Sequence, residues 1–200
     1  GHDFVADAFS HGAVLAFVTH HTPERCIVVG DVTQAVSTLA AHVRSQLVHL
    51  KVIGITGSQG KTTTKDLLNV VLSTDGTTVA TRGNNNNELG VPLTVLRCNE
   101  ETRFCIVEMG ARHLGDIRQL AEIARPDIGV VLRVAAAHIG EFGSIENIAK
   151  AKSEMISSLG PDAIAIVGTY DEFTSAMSSL HRGTTLKFGE EASCDIRATD

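Results

Sequence analysis

The sequence lacks the excess of basic residues that a partner with a large anionic surface would require. Its 200 residues contain 17 lysines and arginines against 23 aspartates and glutamates, which gives a formal net charge of -6 at pH 7. Such a balance argues against nucleic acid and against an anionic membrane as partners. Any anion that binds here must therefore be held by a local group of side chains and backbone amides.

Paired cysteines and long hydrophobic runs are also missing. The four cysteines include no C-x-x-C pair, which argues against a zinc ribbon and against a disulfide framework. No apolar run reaches the roughly 18 residues that a membrane-spanning helix needs. The first residues lack the charged and apolar regions of a signal peptide. We therefore expect a soluble, cytoplasmic protein that does not associate with membranes.

What the sequence does contain is a regular alternation of two hydrophobic patterns. Strand-like apolar runs occur at residues 13–18, 26–30, 51–56, 103–109, 127–134 and 163–168. From Lys51 onward they alternate with segments of helical spacing, among them residues 60–73 and 114–124, the first of which has Leu67, Leu68, Val71 and Leu72 as apolar positions. This alternation predicts an α/β fold with a mostly parallel sheet, in which ligands bind at the carboxyl ends of the strands.

The first fifty residues have a different pattern. Residues 1–30 are typical of the end of a smaller α/β domain, and residues 31–47 have the periodicity of a single helix. Asp31 is the candidate N-cap of that helix. We place a domain boundary near Val48, so that residues 48–200 form the part that contains the parallel sheet.

A glycine-rich loop follows the strand-like run at residues 51–56. The stretch GITGSQGKTTTKD, residues 54–66, places Gly57 and Gly60 before Lys61 and Thr62. Strand, glycine loop and then Lys-Thr at the start of a helix is the context of a phosphate-binding loop, although the usual first glycine is replaced by Ile55. Lys61 suits the terminal phosphates and the Thr62 hydroxyl suits Mg²⁺. The simpler alternative is a glycine-rich turn before a helix.

Two further polar residues follow predicted strands. Glu108 ends the run FCIV, where a buried strand delivers a carboxylate to the sheet edge, which makes it a candidate Mg²⁺ ligand. His138 follows the strand-like run at residues 127–134 and a short stretch of alanines. A single histidine is more often structural than functional. The asparagine run at residues 84–87 is typical of a solvated turn.

Lys152 lies inside an apolar stripe of a predicted helix that begins at Ser144. The stripe consists of Ile145, Ile148, Ala149, Met155, Ile156 and Leu159. Because burial disfavours the charged form of a lysine, its pKa should be lowered there. One outcome is that the side chain extends to Glu154 or to solvent. The other is that the neutral amine reacts with carbon dioxide to give a carbamate, an anion able to bind Mg²⁺.

At this point the residues resemble a known family. TGSQGKT, GNNNNELGVP, EMGARHLGDI, AAAHIGEFGS and AKSE occur in the order and spacing of the Mur ligases, and most closely resemble the branch that adds D-alanyl-D-alanine. The loop without an earlier glycine is that family's own form. GHDF at the start resembles the end of a motif in the family's uridine-nucleotide-binding domain, so residues 1–30 would belong to that domain. Residues 48–200 would be the front of the central ATPase domain.

The resemblance implies an ATP-dependent acid-amine ligation in peptidoglycan precursor synthesis. ATP would phosphorylate the terminal carboxylate of UDP-N-acetylmuramoyl-tripeptide, and the amine of D-alanyl-D-alanine would then displace the phosphate. The family's C-terminal domain, which receives the dipeptide, has no counterpart here, so we expect the chain alone not to complete the reaction. We also expect a monomer.

The resemblance also implies residue roles. ATP would be held by Thr56, Gly57, Ser58, Gln59, Gly60, Lys61, Thr62, Thr63, Asn86, Asn87 and Glu88. Thr62 and Glu108 would bind one Mg²⁺, and His138 and carbamylated Lys152 a second. Lys61, Glu108, His138 and Lys152 would be the catalytic residues.

The sequence departs from the family pattern at three places, and other functions remain open. Asn85 stands where the family has an aromatic or aliphatic residue, Arg133 where it has asparagine, and Gly168-Thr169-Tyr170 where it has N-A-D. A ligase of the folylpolyglutamate or cyanophycin type would use the same core. A phosphate-loop GTPase or kinase and a nucleotide-binding module without catalysis are further alternatives.

Overall fold

The computed structural model describes residues 1–136 and 139–199. Its helices are α1 (Val5–Ser10), α2 (Val32–Gln46), α3 (Lys61–Leu72), α4 (Gly90–Val95), α5 (Asp116–Ala124), α6 (Ile139–Phe142), α7 (Ile145–Ser157) and α8 (Glu172–Ala176). Its strands are β1 (Ala16–Val18), β2 (Cys26–Val28), β3 (Lys51–Thr56), β4 (Thr78–Ala80), β5 (Phe104–Glu108), β6 (Ile128–Val131), β7 (Ile164–Gly168), β8 (Thr184–Gly189) and β9 (Ile196–Arg197). Short 3-10 helices cover His2–Phe4 and Met177–Leu180.

Seven strands form one sheet in the order β4-β5-β3-β6-β7-β8-β9, and every neighbouring pair is parallel. The predicted α/β fold with a mostly parallel sheet is therefore confirmed. Strand β3 lies between β5 and β6, so the strand order reverses beside it. Parallel sheets bind ligands at the carboxyl end of such a position, and the glycine-rich loop is located there. Strands β4, β8 and β9 were not predicted because their short or polar segments lack a continuous apolar run.

Helices cover the two faces of this sheet unequally. Helices α2, α4, α5 and α7 contribute to the larger core cluster, whereas α3 packs against a smaller cluster on the other face. In α3, Leu68 and Leu72 pack on the sheet, but Leu67 and Val71 are 64% and 61% exposed. The predicted helix is therefore present, but only two of its four apolar positions face the sheet. Periodicity showed two adjacent apolar rows without showing which one the sheet covers.

The first fifty residues form a separate small sheet and then a helix. Strands β1 and β2 pair in parallel with each other. Helix α2 begins after Asp31, whose carboxylate accepts a hydrogen bond from Gln34 N at 2.7 Å, so the predicted N-cap is confirmed. Helix α2 packs against α4 and α5. The domain boundary near Val48 stays a prediction. Within the described residues, no helix is both long enough and apolar enough to span a bilayer.

A buried arginine connects α2 to the amino ends of strands β3 and β6. We call the side of the sheet where the parallel strands begin its amino edge, and the side where they end its carboxyl edge. Arg44 donates hydrogen bonds to the carbonyl oxygens of Ala124, Leu47 and Arg125 at 3.0, 3.2 and 3.1 Å. Its guanidinium also pairs with the Asp127 carboxylate at 2.9 Å, and that carboxylate accepts from Val52 N at 2.7 Å. The burial of this charge is compensated by hydrogen bonds in several directions.

Candidate functional site

The glycine-rich loop joins the carboxyl end of β3 to the first turn of α3. Gly60 is the N-cap of α3 with φ 85°, and Gly57 has φ 155°, so both adopt backbone conformations that favour glycine. A Cβ atom on Gly57 would lie 3.1 Å from Leu132 Cβ. Helix α3 therefore begins directly after the carboxyl end of β3, where the backbone amides of its first turn would stabilise a phosphate group.

Lys61 folds back over this loop. Its ammonium donates to the carbonyl oxygen of Gly57 at 2.9 Å. Partial burial lowers the pKa of Lys61, and the negative charge of Glu108 acts in the opposite direction. The lysine is therefore held over the loop, close to a carboxylate, in the position where it can contact an anion that binds the loop amides.

Glu108 is fixed by three hydrogen bonds from different segments. Its side chain is 2% exposed, and Oε2 accepts from the Thr62 hydroxyl at 2.9 Å. Oε1 accepts from Asn86 Nδ2 at 2.8 Å, and Glu108 N donates to the Thr81 hydroxyl at 3.0 Å. The structure therefore brings together Thr62, Asn86 and Glu108, which the sequence places on three separate segments.

The oxygen donors of this group fit Mg²⁺. Mg²⁺ prefers hard oxygen ligands and usually takes one or two protein ligands together with water and substrate phosphates. Thr62 Oγ1 and Glu108 Oε2 supply two such oxygens next to the phosphate loop. Across residues 1–136 and 139–199, no group of three or more His, Cys, Asp or Glu side chains is arranged to hold a metal by itself. The remaining ligands of a metal at Thr62 and Glu108 would therefore be water and the oxygens of a bound nucleotide.

Lys152 is buried on α7, as its position in the apolar stripe predicts. It is 6% exposed, and its ammonium has no hydrogen bond or ion pair with any residue that the structure describes. Burial and then the nearby charge of Lys61 lower the pKa of Lys152 from 10.5 to about 8. Glu154 is not its partner, because that carboxylate accepts from Gly115 N and Arg118 N at 2.7 and 3.1 Å, at the start of α5.

These segments surround a cleft of about 410 Å³ at the carboxyl edge of the sheet. The predicted residues that line it are Gly57, Ser58, Lys61, Asn86, Asn87, Glu88 and Lys152. Glu108 adjoins it through its hydrogen bond with Asn86, and Thr62 adjoins it through its hydrogen bond with Glu108. Thr56, Gln59, Gly60 and Thr63 are not among its lining residues. His138 lies outside the described residues, so its predicted role stays a prediction.

Two residues of the predicted nucleotide-binding set have their hydroxyls occupied by the protein itself. The Thr56 hydroxyl donates to Met109 O at 2.9 Å and ties β3 to the end of β5. The Ser58 hydroxyl donates to Ala135 O and accepts from Ala135 N, both at 2.9 Å, and Ser58 N donates to Arg133 O at 2.7 Å. Ser58 is therefore bonded to residues 133–135, which we call the β6 extension.

Sequence reasoning missed several residues that line the cleft. Arg112, Asp116 and Gln119 line it, together with Asn84, Asn85, Gly110, Ala111 and Leu120. Asp116 accepts hydrogen bonds from the backbone amides of Arg112 and His113 at 2.8 and 2.9 Å, which closes the turn before α5. The stretch EMGARHLGDI contains several of these residues, but from sequence alone it identified only the family. Asn85, one of the departures from the family pattern, lines the cleft, whereas the backbone of Arg133 contacts Ser58.

A family model decides the family of this chain. The model of the Mur ligase middle domain matches residues 55–200. The chain belongs to the Mur ligase family. A curated relative from Mycobacterium tuberculosis, UDP-N-acetylmuramoyl-tripeptide--D-alanyl-D-alanine ligase, is 39% identical over 99% of this chain and 43% of its own length. The chain therefore spans less than half the length of this Mur ligase relative.

Two solved structures of Mur ligases have the same fold. MurF from Acinetobacter baumannii superposes with a TM-score of 0.90 and 38% identity, covering 100% of this chain and 44% of its own. MurF from Thermotoga maritima, solved in complex with ADP, has a TM-score of 0.83 and 34% identity over 96% of this chain and 45% of its own. The parallel sheet with its phosphate loop is thus the Mur ligase central fold.

Proposed function

We propose that this chain is the nucleotide-binding part of an ATP-dependent ligase that adds D-alanyl-D-alanine to UDP-N-acetylmuramoyl-tripeptide. The observation that carries the proposal is the 2.9 Å contact between Thr62 Oγ1 and Glu108 Oε2, beside the phosphate loop and its lysine. Such an arrangement suits phosphoryl transfer, which mainly requires positioning and neutralisation of charge. Relatives and structural neighbours that bear the name of this ligase support the choice of substrates.

Each residue of the site has a defined part in this function. The amides of residues 57–61 and the Lys61 ammonium would hold the phosphates, and Asn86, Asn87 and Glu88 would contribute to the same cleft. Thr62 and Glu108 would hold Mg²⁺. When bound, MgATP supplies the phosphoryl group that activates the acceptor carboxylate as an acyl phosphate. Asn86 keeps the Glu108 carboxylate turned toward Thr62.

The buried amine of Lys152 suits a carbamate. A lysine with a pKa near 8 is partly neutral at physiological pH, and the neutral amine is the form that attacks carbon dioxide. A nitrogen–carbon bond forms, one proton passes to water, and the side chain becomes an anion. The anion would interact favourably with Lys61, whose positive charge disfavours the ammonium form. Together with His138, this carbamate would hold a second Mg²⁺.

Three further properties complete the proposal. Residues 1–30 would belong to the uridine-nucleotide-binding domain, and residues 48–200 would form the front of the ATPase domain. Residues 31–47 would form the helix that connects these two domains. A cytoplasmic location and a monomeric state are proposed with it. The chain alone would bind nucleotide without completing ligation, because its relatives are more than twice its length.

Calorimetry with MgADP tests nucleotide binding by the 200-residue chain. We expect binding that weakens when Mg²⁺ is omitted, and a Glu108→Gln variant whose affinity no longer depends on Mg²⁺. The matched control is Glu122→Gln, which alters a carboxylate on α5 away from the cleft lining. Absence of MgADP binding by the unaltered chain would contradict the proposal.

Ligation is measured after the chain is extended to the full length of its relatives. Incubation with ATP, UDP-N-acetylmuramoyl-tripeptide and D-alanyl-D-alanine should give ADP, phosphate and the peptide product, which mass spectrometry identifies. Glutamate in place of the dipeptide tests a ligase of the folylpolyglutamate type. Product with glutamate alone would favour that alternative, and MgADP binding without any product would favour a module without catalysis.

A further inference from the structure

The β6 extension is held from both sides by residues that follow neighbouring strands. We propose that Asp171 is a positioning residue for the phosphate loop, which acts by holding the β6 extension against Ser58. The inference rests on the proposed function, because it assumes that the loop binds nucleotide. It assigns a role to a residue outside the cleft lining that sequence reasoning did not identify.

On one side, the β6 extension is bonded to the phosphate loop. Ser58 N donates to Arg133 O at 2.7 Å, and the Ser58 hydroxyl exchanges two hydrogen bonds with the backbone of Ala135. These three bonds use both donors of Ser58. The conformation of the loop at Ser58 therefore depends on where the β6 extension lies.

On the other side, the β6 extension is bonded to Asp171. Asp171 Oδ2 accepts from Val134 N at 2.9 Å and from the Thr174 hydroxyl at 2.7 Å. Oδ1 accepts from Thr174 N at 2.8 Å as the N-cap of α8. Capping a helix needs only one carboxylate oxygen. The second oxygen is therefore available to fix Val134.

The sheet order explains why these two contacts face each other. Strand β6 lies between β3 and β7, the loop that contains Ser58 follows β3, and Asp171 follows β7. The backbone of residues 133–135 alternates between the two sides, as it does in a paired strand. Without the Asp171 carboxylate, Val134 N loses its acceptor, and the β6 extension can move away from Ser58.

Asp31 provides a matched control. It is also an N-cap aspartate, and its Oδ1 accepts from Gln34 N at 2.7 Å within α2. Asparagine caps a helix about as well as aspartate, so Asp31→Asn retains the cap of α2 and does not touch the β6 extension. Asp171→Asn likewise retains one capping oxygen but lacks the second acceptor, so comparing the two variants separates the bond to Val134 N from the capping of α8. A Thr174→Val variant removes the hydroxyl bond to Asp171 and retains the bond to Val134.

The experiment measures amide hydrogen exchange and MgADP affinity in these variants. In Asp171→Asn we expect about tenfold faster exchange at Ser58 and Val134 and about tenfold weaker MgADP binding, the loss expected for one hydrogen bond to a charged acceptor. Asp31→Asn should leave both quantities unchanged, because asparagine still caps α2. Thr174→Val should retain slow exchange at Ser58. Equal exchange at Ser58 in the Asp171 and Asp31 variants would overturn the inference.

The two proposals fail in different ways. If the unaltered chain binds no MgADP, the proposed function is wrong, and the exchange rates still decide whether Asp171 positions the loop. If Asp171→Asn does not fold, Ser58→Ala tests the contact between the phosphate loop and the β6 extension, because it removes the hydroxyl that accepts from Ala135 N. Faster exchange at Ala135 in that variant supports the inference, and unchanged exchange contradicts it.

Discussion

A cationic side chain is buried at each end of the parallel strands, at the amino edge and at the carboxyl edge of the sheet. The two side chains differ in whether the protein supplies them with acceptors. At the amino edge, Arg44 has acceptors from Leu47, Ala124, Arg125 and Asp127. At the carboxyl edge, Lys152 is buried with no partner among the residues that the structure describes, and the nearby Lys61 adds a second positive charge. Because β3 rises about 3.3 Å per residue, these edges lie about 17 Å apart along that strand.

The difference distinguishes a structural charge from a functional one. A buried charge that is satisfied by fixed acceptors holds elements together, and removing it leaves those acceptors unpaired. A buried charge without acceptors destabilises the fold, so it is retained only where a ligand or a modification compensates for it. The comparison predicts that substitutions at the amino edge lower stability and that substitutions at the carboxyl edge lower activity.

The largest effect is expected from Lys61→Ala. Loss of this cation should reduce ligation by the extended protein on the order of 10³-fold, because the charge of the transferred phosphoryl group is no longer neutralised. Initial rates of ADP release at saturating substrates measure it. Lys150→Ala is the control, since Lys150 is exposed on α7. Comparable rates of ADP release in the two variants would show that Lys61 does not contribute to the reaction.

The next largest effect is expected from Arg44→Met. This substitution leaves Asp127 and three carbonyl oxygens without their donor, so the free energy of unfolding should fall by about 3 to 4 kcal/mol. Urea denaturation measures the loss, and calorimetry should give an unchanged Kd for MgADP. Arg103→Met should cost less than about 1 kcal/mol, because Arg103 pairs with Asp75 at an exposed site. An equal loss of unfolding free energy in both variants would contradict a stabilising role of the Arg44 hydrogen bonds.

The smallest effect is expected from Lys152→Met, and it has the opposite sign. A pKa lowered from 10.5 to about 8 corresponds to about 3 kcal/mol at 1.36 kcal/mol per unit. At pH 7 Lys152 is mostly protonated in the folded state and fully protonated in the unfolded state, so the folded state bears most of this cost. In carbon-dioxide-free buffer at pH 7, Lys152→Met should therefore raise the free energy of unfolding by about 2 to 3 kcal/mol.

The pH dependence of this gain provides its control. Between about pH 8 and 10.5 the unfolded state binds more protons at Lys152 than the folded state, so the unaltered chain gains stability as the pH rises. The advantage of Lys152→Met should therefore shrink over that range. Urea denaturation at several pH values measures it. A difference that stays constant from pH 7 to 9.5 would contradict a lysine of lowered pKa.

Much of the fold was predictable because it depends on neighbouring residues. The alternation of apolar runs and helical periodicity predicted the parallel sheet, and Asp31 and Ser144 as N-caps bond within their own helices. The phosphate loop was predictable for the same reason, since strand, loop and helix follow one another. The buried position of Lys152 followed from the stripe of α7.

The rest of the site depends on residues that are far apart in the sequence. The hydrogen bonds of Glu108 with Thr62 and Asn86 exist because β3 and β5 are neighbours in the sheet. No periodicity reveals that Asp171 caps one helix and also bonds the β6 extension. Likewise, the two apolar rows of α3 are equivalent until the sheet covers one of them.

The amino-acid sequence by itself determined most of the strands and helices around the site, where the phosphate loop lies and that Lys152 lies within the apolar stripe of α7. Those properties arise from contacts within a few turns of chain. Only the tertiary structure decided which acceptors surround Arg44, which donors fix Glu108 and what holds the β6 extension. Those contacts depend on strand order and register, which bring side chains together from distant parts of the chain.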